Sequence, residues 1–222
     1  MAKKTALIVG ATGAVGRRLA PLVAASHDYA RLIVLHRRPT PFAKLAKVEE
    51  HVIDFAELMA FSSGGEVHAV FCCVGTTQKK AGSTAAFEQV DRDIPVALAR
   101  WAAAKHASVF VTLSSLGADA GSSSVYLRTK GEMEAGVAGS GVRSAYILRP
   151  SLLKGERSEF RLAERVGNRA LSIVGPLMVG PMRRYRAVGT DTVARAMLAC
   201  AQKGDPGVHI VESDAIQDLG AP

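Results

Sequence analysis

Six short apolar runs alternate with stretches of helical periodicity along the first two thirds of this chain, and that rhythm narrows its fold more than any other feature. The runs Ala6–Val9, Leu32–Leu35, His51–Ile53, Ala69–Cys72, Val109–Leu113 and Ala145–Leu148 are mostly continuous Val, Ile, Leu and Ala. A strand with one face in water alternates apolar and polar residues; a continuous run is the pattern of a strand covered on both faces. Between the runs, Ala14–Ala25, Thr84–Lys105 and Tyr126–Ala138 carry apolar residues at helical spacing. Strands joined by helical crossovers of the usual right hand build an α/β fold, a doubly wound parallel sheet. After Pro150 the rhythm loosens into Gly and Pro breaks, then resumes with a helix over Thr190–Gln202 and a last strand over Val208–Val211. At 222 residues the chain has room for one sizeable core. We expect a single domain, with a core over residues 1–150 and a small C-terminal appendage over 151–222 lying on the sheet's carboxyl edge, where ligands bind in such folds.

No apolar run approaches the roughly 20 residues that cross a bilayer. The amino terminus, MAKKTALIVGATG, runs directly into a glycine turn and lacks a small-residue cleavage site, so a signal peptide is not expected and the cytoplasm is. Three cysteines, Cys72, Cys73 and Cys200, are too few for a disulfide framework, and six scattered histidines show no ligand spacing, so no metal is expected. The net charge of +8 admits nucleic acid, an anionic surface or a small polyanion. The arginines are dispersed and aromatics make up only 5 %, which disfavours a base-stacking platform. The basic PMRRYR segment, with Arg183 to Arg186, reads as a solvated face or ligand-side rim, because no nucleic-acid reading module accompanies it.

Behind the first strand stands VGATGAVG, with Gly10, Gly13 and Gly16 at intervals of three. A glycine turn between a first strand and a first helix lets backbone approach a pyrophosphate and aims the helix's free N–H groups at it. In this context the motif indicates a dinucleotide, held by Gly10, Thr12, Gly13, Ala14, Val15 and Gly16; a P-loop is excluded because no Gly-Lys-Ser/Thr follows. An acidic residue at the end of the second strand would accept from the adenosine ribose and favour NAD. VLHRRP stands there instead, and the guanidinium forks of Arg37 and Arg38 suit the 2′-phosphate of NADP(H). Asp54, after the third strand, is placed either to accept from the adenine amino group or to form a turn. Val74 and Gly75, after the fourth, offer a wall against the adenosine.

Tyr126 and Lys130 sit four apart at the start of a helix and so share a face. A tyrosine hydroxyl is a poor proton carrier at neutral pH, and a neighbouring ammonium favours its ionised form. Ser114 and Ser115 end the fifth strand on the same carboxyl edge as the glycine turn, where a hydroxyl can hold a substrate carbonyl.

Glycine turn, strand-end serine and Y-x-x-x-K together resemble the short-chain dehydrogenase/reductase superfamily. The stretches FCCVGTTQKKAG, VDRD, LSSLGAD, YLRTKGEMEA, LRPSLL and AIQDLG are similar to one atypical branch, the Tat-interacting-protein oxidoreductase-like family, across essentially the whole chain. The resemblance implies an NADPH-binding Rossmann fold. It also implies that Tyr126 donates or accepts the proton, that Lys130 orients Tyr126 and the nicotinamide ribose, and that Ser115 polarises a carbonyl. By the same matching, Leu153 and Arg161 touch the cofactor. The segment CVG stands where typical members of the superfamily carry Asn-Ala-Gly, and the Ser115 to Tyr126 spacing is slightly shorter.

Three readings follow. The first is an NADPH-dependent reductase of a small carbonyl substrate, and the second an NADPH-binding regulatory or interaction protein with a protein partner. The third, a nucleotide-sugar epimerase or dehydratase, needs a larger carboxyl-terminal part than the residues after Pro150 provide. Neither the substrate nor the oligomeric state is legible in the sequence.

Overall fold

A computed structural model of the chain describes residues 4–37, 40–154 and 180–222. Seven strands form one sheet in the order β3-β2-β1-β4-β5-β6-β9: β1 (Lys4–Val9), β2 (Tyr29–His36), β3 (Val48–Val52), β4 (Ala69–Cys72), β5 (Val109–Leu113), β6 (Ser144–Arg149) and β9 (Gly207–Glu212). Every neighbouring pair is parallel. A two-stranded parallel ribbon, β7 (Leu153–Lys154) with β8 (Val188–Gly189), accompanies the sheet. Among the described residues the helices are α1 (Gly16–Ala25), α2 (Gln78–Ala81), α3 (Thr84–Glu88), α4 (Ile94–Ala104), α5 (Val125–Ala138), α6 (Thr190–Lys203) and α7 (Ser213–Leu219).

The continuous apolar strands are explained by cover on both faces. Ile8, Val34, Phe71, Val111 and Leu148 turn to one side, where Leu19, Ala20 and Val23 of α1 and Val193, Ala194 and Met197 of α6 meet them. Leu7, Ile33, Val70, Phe110 and Ile147 turn to the other, against Leu98, Trp101 and Ala102 of α4 and Met133 and Val137 of α5. Each large side chain fully buried this way contributes about 1.5–3 kcal/mol. Cys72, Cys73 and Cys200 are free thiols inside this packing, and burial pushes all three up from the ordinary thiol range.

Two elements depart from the sequence expectation. The third strand lies at Val48–Val52 rather than His51–Ile53, because pairing with β2 sets its register, Leu32 opposite Val48 and His36 opposite Val52. As an edge strand it is only partly covered, which is why VEEHV carries little apolar signal. The helix read over Thr84–Lys105 breaks into α3, a π segment (Gln89–Asp93) and α4. Pro95 has no N–H to give the carbonyl four residues back, and the wider π register precedes it. Helix α6 packs beside α1, and β9 extends the sheet from β6.

Order 3-2-1-4 means that successive strands are added outward on one side up to β3 and on the other side from β4, which leaves a switch point between β1 and β4; ligands of open α/β sheets bind outside the carboxyl ends at such a point. Gly10, Cys73, Ser114 and Arg37 all follow directly on their strands at that edge.

Candidate functional site

The turn after β1 is built by backbone contact. Gly10 has φ +82°, and a Cβ there would stand 2.6 Å from the carbonyl carbon and oxygen of Cys73. A Cβ on Gly16 would stand 2.1 Å from the Gly10 carbonyl oxygen. These two glycines therefore let β1, α1 and the loop after β4 close on one another. Gly13 is less confined, its nearest neighbours being the Gly10 oxygen at 3.2 Å and the Cys73 oxygen at 3.5 Å. Thr12 is exposed, Ala14 is partly covered, and the Val15 side chain is in the core, so Val15 can address a ligand only through its backbone.

The residues present fit an anion at this turn. Helix α1 has no side-chain cap and no acidic residue in its first turn, which instead carries Arg17 and Arg18. Cations at a helix N-terminus oppose its dipole, whereas an anion there is favoured. Arg17 Nε and Nη2 are buried and have no hydrogen-bond partner among the described residues. A phosphate satisfies both conditions at once. Arg17 had no signal of its own in the sequence beyond its place directly after the third glycine.

Arg37 is exposed just past β2. Arg38 and Arg161, the other basic residues expected at the cofactor, lie outside the described residues. Asp54 is exposed and caps the short 3-10 turn Phe55–Ala60, its Oδ1 accepting from the Ala56 N–H at 3.0 Å. Leu153 is half-buried in β7. The PMRRYR segment is engaged locally: Arg183 pairs with Asp218, and the Arg184 guanidinium lies 4.8 Å from the Tyr185 ring centre.

The two serines after β5 have different surroundings. Ser114 donates to Glu134 of α5, whose carboxylate also takes Nε and Nη2 of Arg149 at 2.9 and 2.6 Å, and Arg149 reaches Glu212 at 3.1 Å. That network ties the carboxyl ends of β5, β6 and β9 to α5. Among the described residues the Ser115 hydroxyl makes only a 3.4 Å contact to the Leu116 carbonyl, and the residue is 3 % exposed. A Cβ on Gly131 would stand 2.1 Å from the Ala120 nitrogen, so the loop following Ser115 lies directly on α5 one residue past Lys130.

Tyr126 is half-buried near the start of α5, its ring tilted against Phe87 at 6.1 Å between centroids. One turn on, Lys130 is buried. Its Nζ stands 2.8 Å from Asp91 Oδ1 and 3.5 Å from the Leu113 carbonyl oxygen. Burial pulls the ammonium down, but the Asp91 carboxylate, Tyr126 and Cys72 outweigh it and hold Lys130 above the ordinary lysine value. Asp91 also accepts from the Thr76 N–H at 2.7 Å in the loop carrying Val74 and Gly75. Asp91 was visible in the sequence only as part of VDRD; an acidic residue in the middle of an otherwise amphipathic helical pattern is the signal that marks it.

Glycine turn, β4 loop, Ser115 and the Tyr126–Lys130 pair thus meet along one edge of the sheet. Among the described residues no group of three or more His, Cys, Asp or Glu could hold a metal ion, and no helix is long and apolar enough to cross a membrane.

Fold and site together define a Rossmann-type dinucleotide-binding protein. Its relatives make this more specific. A model of the NAD(P)H-binding family matches residues 10–203, and the chain belongs to that family. It is similar to Protein HTATIP2 of Rattus norvegicus, 35 % identical over 224 residues that cover 99 % of this chain and 90 % of the relative. Protein FMP52, mitochondrial, of Candida albicans is 31 % identical over 206 residues, covering 90 % of this chain and 89 % of its own. Among solved structures, an oxidoreductase of the short-chain dehydrogenase/reductase family from Burkholderia thailandensis shares the fold, with TM-score 0.69 and 19 % identity, over 97 % of this chain and 94 % of that one.

Proposed function

We propose that this protein is an NADPH-dependent carbonyl reductase in which Tyr126 donates the proton. The observation that carries this reading is the buried, charged Lys130 one helical turn from Tyr126, on the edge shared with the glycine turn and Ser115. When bound, the cofactor supplies a hydride. The α1 N-terminus, the Gly10–Gly16 turn and Arg17 hold its pyrophosphate, and Arg37 with Arg38 holds the 2′-phosphate. Asp54, Val74 and Gly75 line the adenosine, and Leu153 and Arg161 complete the cofactor contacts. Ser115 donates a hydrogen bond to the substrate carbonyl oxygen, and Tyr126 gives the proton that the forming alkoxide takes up. Lys130 orients Tyr126 and the nicotinamide ribose. The whole chain acts as one cofactor-binding unit, with residues 151–222 on the substrate side. We place it in the cytoplasm; fractionation tests this directly, since the FMP52 relatives carry a mitochondrial designation.

A second reading, a cofactor-binding regulator with little turnover, is favoured by one observation: the Ser115 hydroxyl is almost fully covered and faces its neighbour's carbonyl. Tyr126→Phe separates the two. Screening aldehydes, ketones and quinones by NADPH consumption first supplies a substrate. Tyr126→Phe then lowers turnover by at least about 100-fold while NADPH affinity stays close to wild type. No turnover of any carbonyl compound, or full turnover by Tyr126→Phe, refutes the reductase.

A further inference from the structure

Asp91 is 1 % exposed, yet it carries a formal charge into the protein interior. Burying an ion pair costs desolvation of both partners, and apolar residues of similar volume commonly serve stability as well or better. A buried pair at the edge of a candidate site therefore needs a reason other than stability. Its local setting supplies one. The π segment Gln89–Asp93 interrupts an otherwise continuous helix, and such insertions recur at functional sites because they re-aim a side chain without ending the helix. Here the segment is where the Asp91 carboxylate is directed at Lys130.

The two carboxylate oxygens are divided between different parts of the site. Oδ1 faces Lys130 Nζ at 2.8 Å, and Oδ2 accepts from the Thr76 N–H at 2.7 Å. Thr76 belongs to the loop whose first residues, Cys73 and Val74, pack against Gly10. An ammonium has three N–H donors. For Lys130, one goes to Asp91 and a second lies 3.5 Å from the Leu113 carbonyl, leaving one for Tyr126 or a ligand hydroxyl.

We propose that Asp91 is the positioning residue of the site: one carboxylate holds the Lys130 ammonium and the cofactor-side loop in a fixed mutual geometry. It acts through Lys130 and Thr76 and touches no reacting atom. This rests on the reading of Tyr126 and Lys130 given above. The charged and titratable groups that bear on Lys130 are Asp91 from the π segment, Tyr126 from α5 and Cys72 from β4. Of these, Asp91 makes the ion pair, so its charge governs the pH at which Lys130 releases its proton.

The test uses the full chain with lysine side chains isotopically labelled at Cε, the Lys130 signal being identified by its loss in Lys130→Met. Asp91→Asn keeps a carbonyl oxygen for the Thr76 N–H and removes the charge; Asp91→Ala removes both. In Asp91→Asn the Lys130 signal titrates about one pH unit or more below its wild-type midpoint, and the pH profile of NADPH affinity moves down with it. In Asp91→Ala the Thr76 amide also loses protection from hydrogen exchange by at least about tenfold. Equal Lys130 midpoints in wild type and Asp91→Asn overturn the proposal. So does a shifted midpoint with an unmoved NADPH profile, provided that Lys130→Met weakens NADPH, since the ion pair then serves the fold alone. If Lys130→Met leaves NADPH affinity unchanged, the cofactor role of Lys130 fails, while the Lys130 midpoint and Thr76 exchange still decide the hold exerted by Asp91. Should Asp91→Ala fail to fold, Asp91→Asn carries the test.

Discussion

Replacing Gly16 and Gly13 by alanine, one at a time, separates the two tasks of the glycine turn. An added Cβ at Gly16 stands 2.1 Å from the Gly10 carbonyl oxygen and 2.8 Å from Ala11 Cα. A carbon–oxygen contact needs about 3.2 Å, so the turn must open by about 1 Å against backbone packed on Cys73. Overpacking of this kind costs about 1–3 kcal/mol and occasionally more, and the overlap with rigid backbone puts Gly16→Ala at the upper end. For a chain of this length each kcal/mol lowers Tm by about 2–4 °C, giving a drop of roughly 6–12 °C. At Gly13 the added carbon meets the Gly10 oxygen at 3.2 Å, which a shift of a few tenths of an ångström relieves. Gly13→Ala therefore stays within about 1 kcal/mol of wild type. Its methyl nevertheless narrows the approach to the backbone, and NADPH affinity falls at least about tenfold, or 1.4 kcal/mol. The assays are thermal unfolding by circular dichroism without cofactor, since a bound ligand raises Tm, and fluorescence titration with NADPH on the same samples. A wild-type Tm for Gly16→Ala refutes the packing role, and undiminished NADPH affinity in Gly13→Ala refutes the assignment of the turn to phosphates.

Ser114→Ala loses the hydrogen bond to Glu134 and costs about 1 kcal/mol of stability. Ser115→Ala gives up only a 3.4 Å contact and so costs less stability than Ser114→Ala, but it lowers turnover of a carbonyl substrate at least about tenfold; the reverse pattern exchanges the roles of the two serines. Arg37→Ala reduces the preference for NADPH over NADH by about tenfold or more, each charge-assisted phosphate contact being worth about 1.5–3 kcal/mol. Parallel titrations of both cofactors check this, and equal wild-type affinities remove its basis. Burial, and then the charge of Asp28, pushes the Tyr29 hydroxyl up to about 12. Because its proton is held more tightly in the fold, the associated stability is complete below pH 10 and is lost as pH rises from 10 to about 12, by about 2–3 kcal/mol. Urea unfolding of wild type and Tyr29→Phe across that interval measures it; an equally steep alkaline loss in Tyr29→Phe contradicts the assignment.

Whatever rests on local pattern is legible in the sequence. Strands buried on both faces must be apolar at consecutive positions, so β1, β2, β4, β5 and β6 show themselves as short apolar runs, and their alternation with helices implies a parallel sheet. Glycine spacing behind β1 and the Tyr126–Lys130 spacing are equally local, and once the sheet is parallel both necessarily fall at its carboxyl edge. The bounds of edge strand β3 are not legible there, because its mixed VEEHV composition reflects partial cover and only pairing with β2 sets its register. The break at Gln89–Asp93 leaves no mark in the sequence because helical periodicity on both sides of it is nearly continuous. Two chemically identical serines in LSSL are separated only by Glu134, a residue on another element that engages the first and not the second. The joining of Asp91 to Lys130 and Thr76 likewise depends on three elements meeting in space. Backbone conformation follows from neighbours in sequence, whereas the partner of a buried charge or hydroxyl is chosen by packing between distant segments, and that choice exists only in the folded chain.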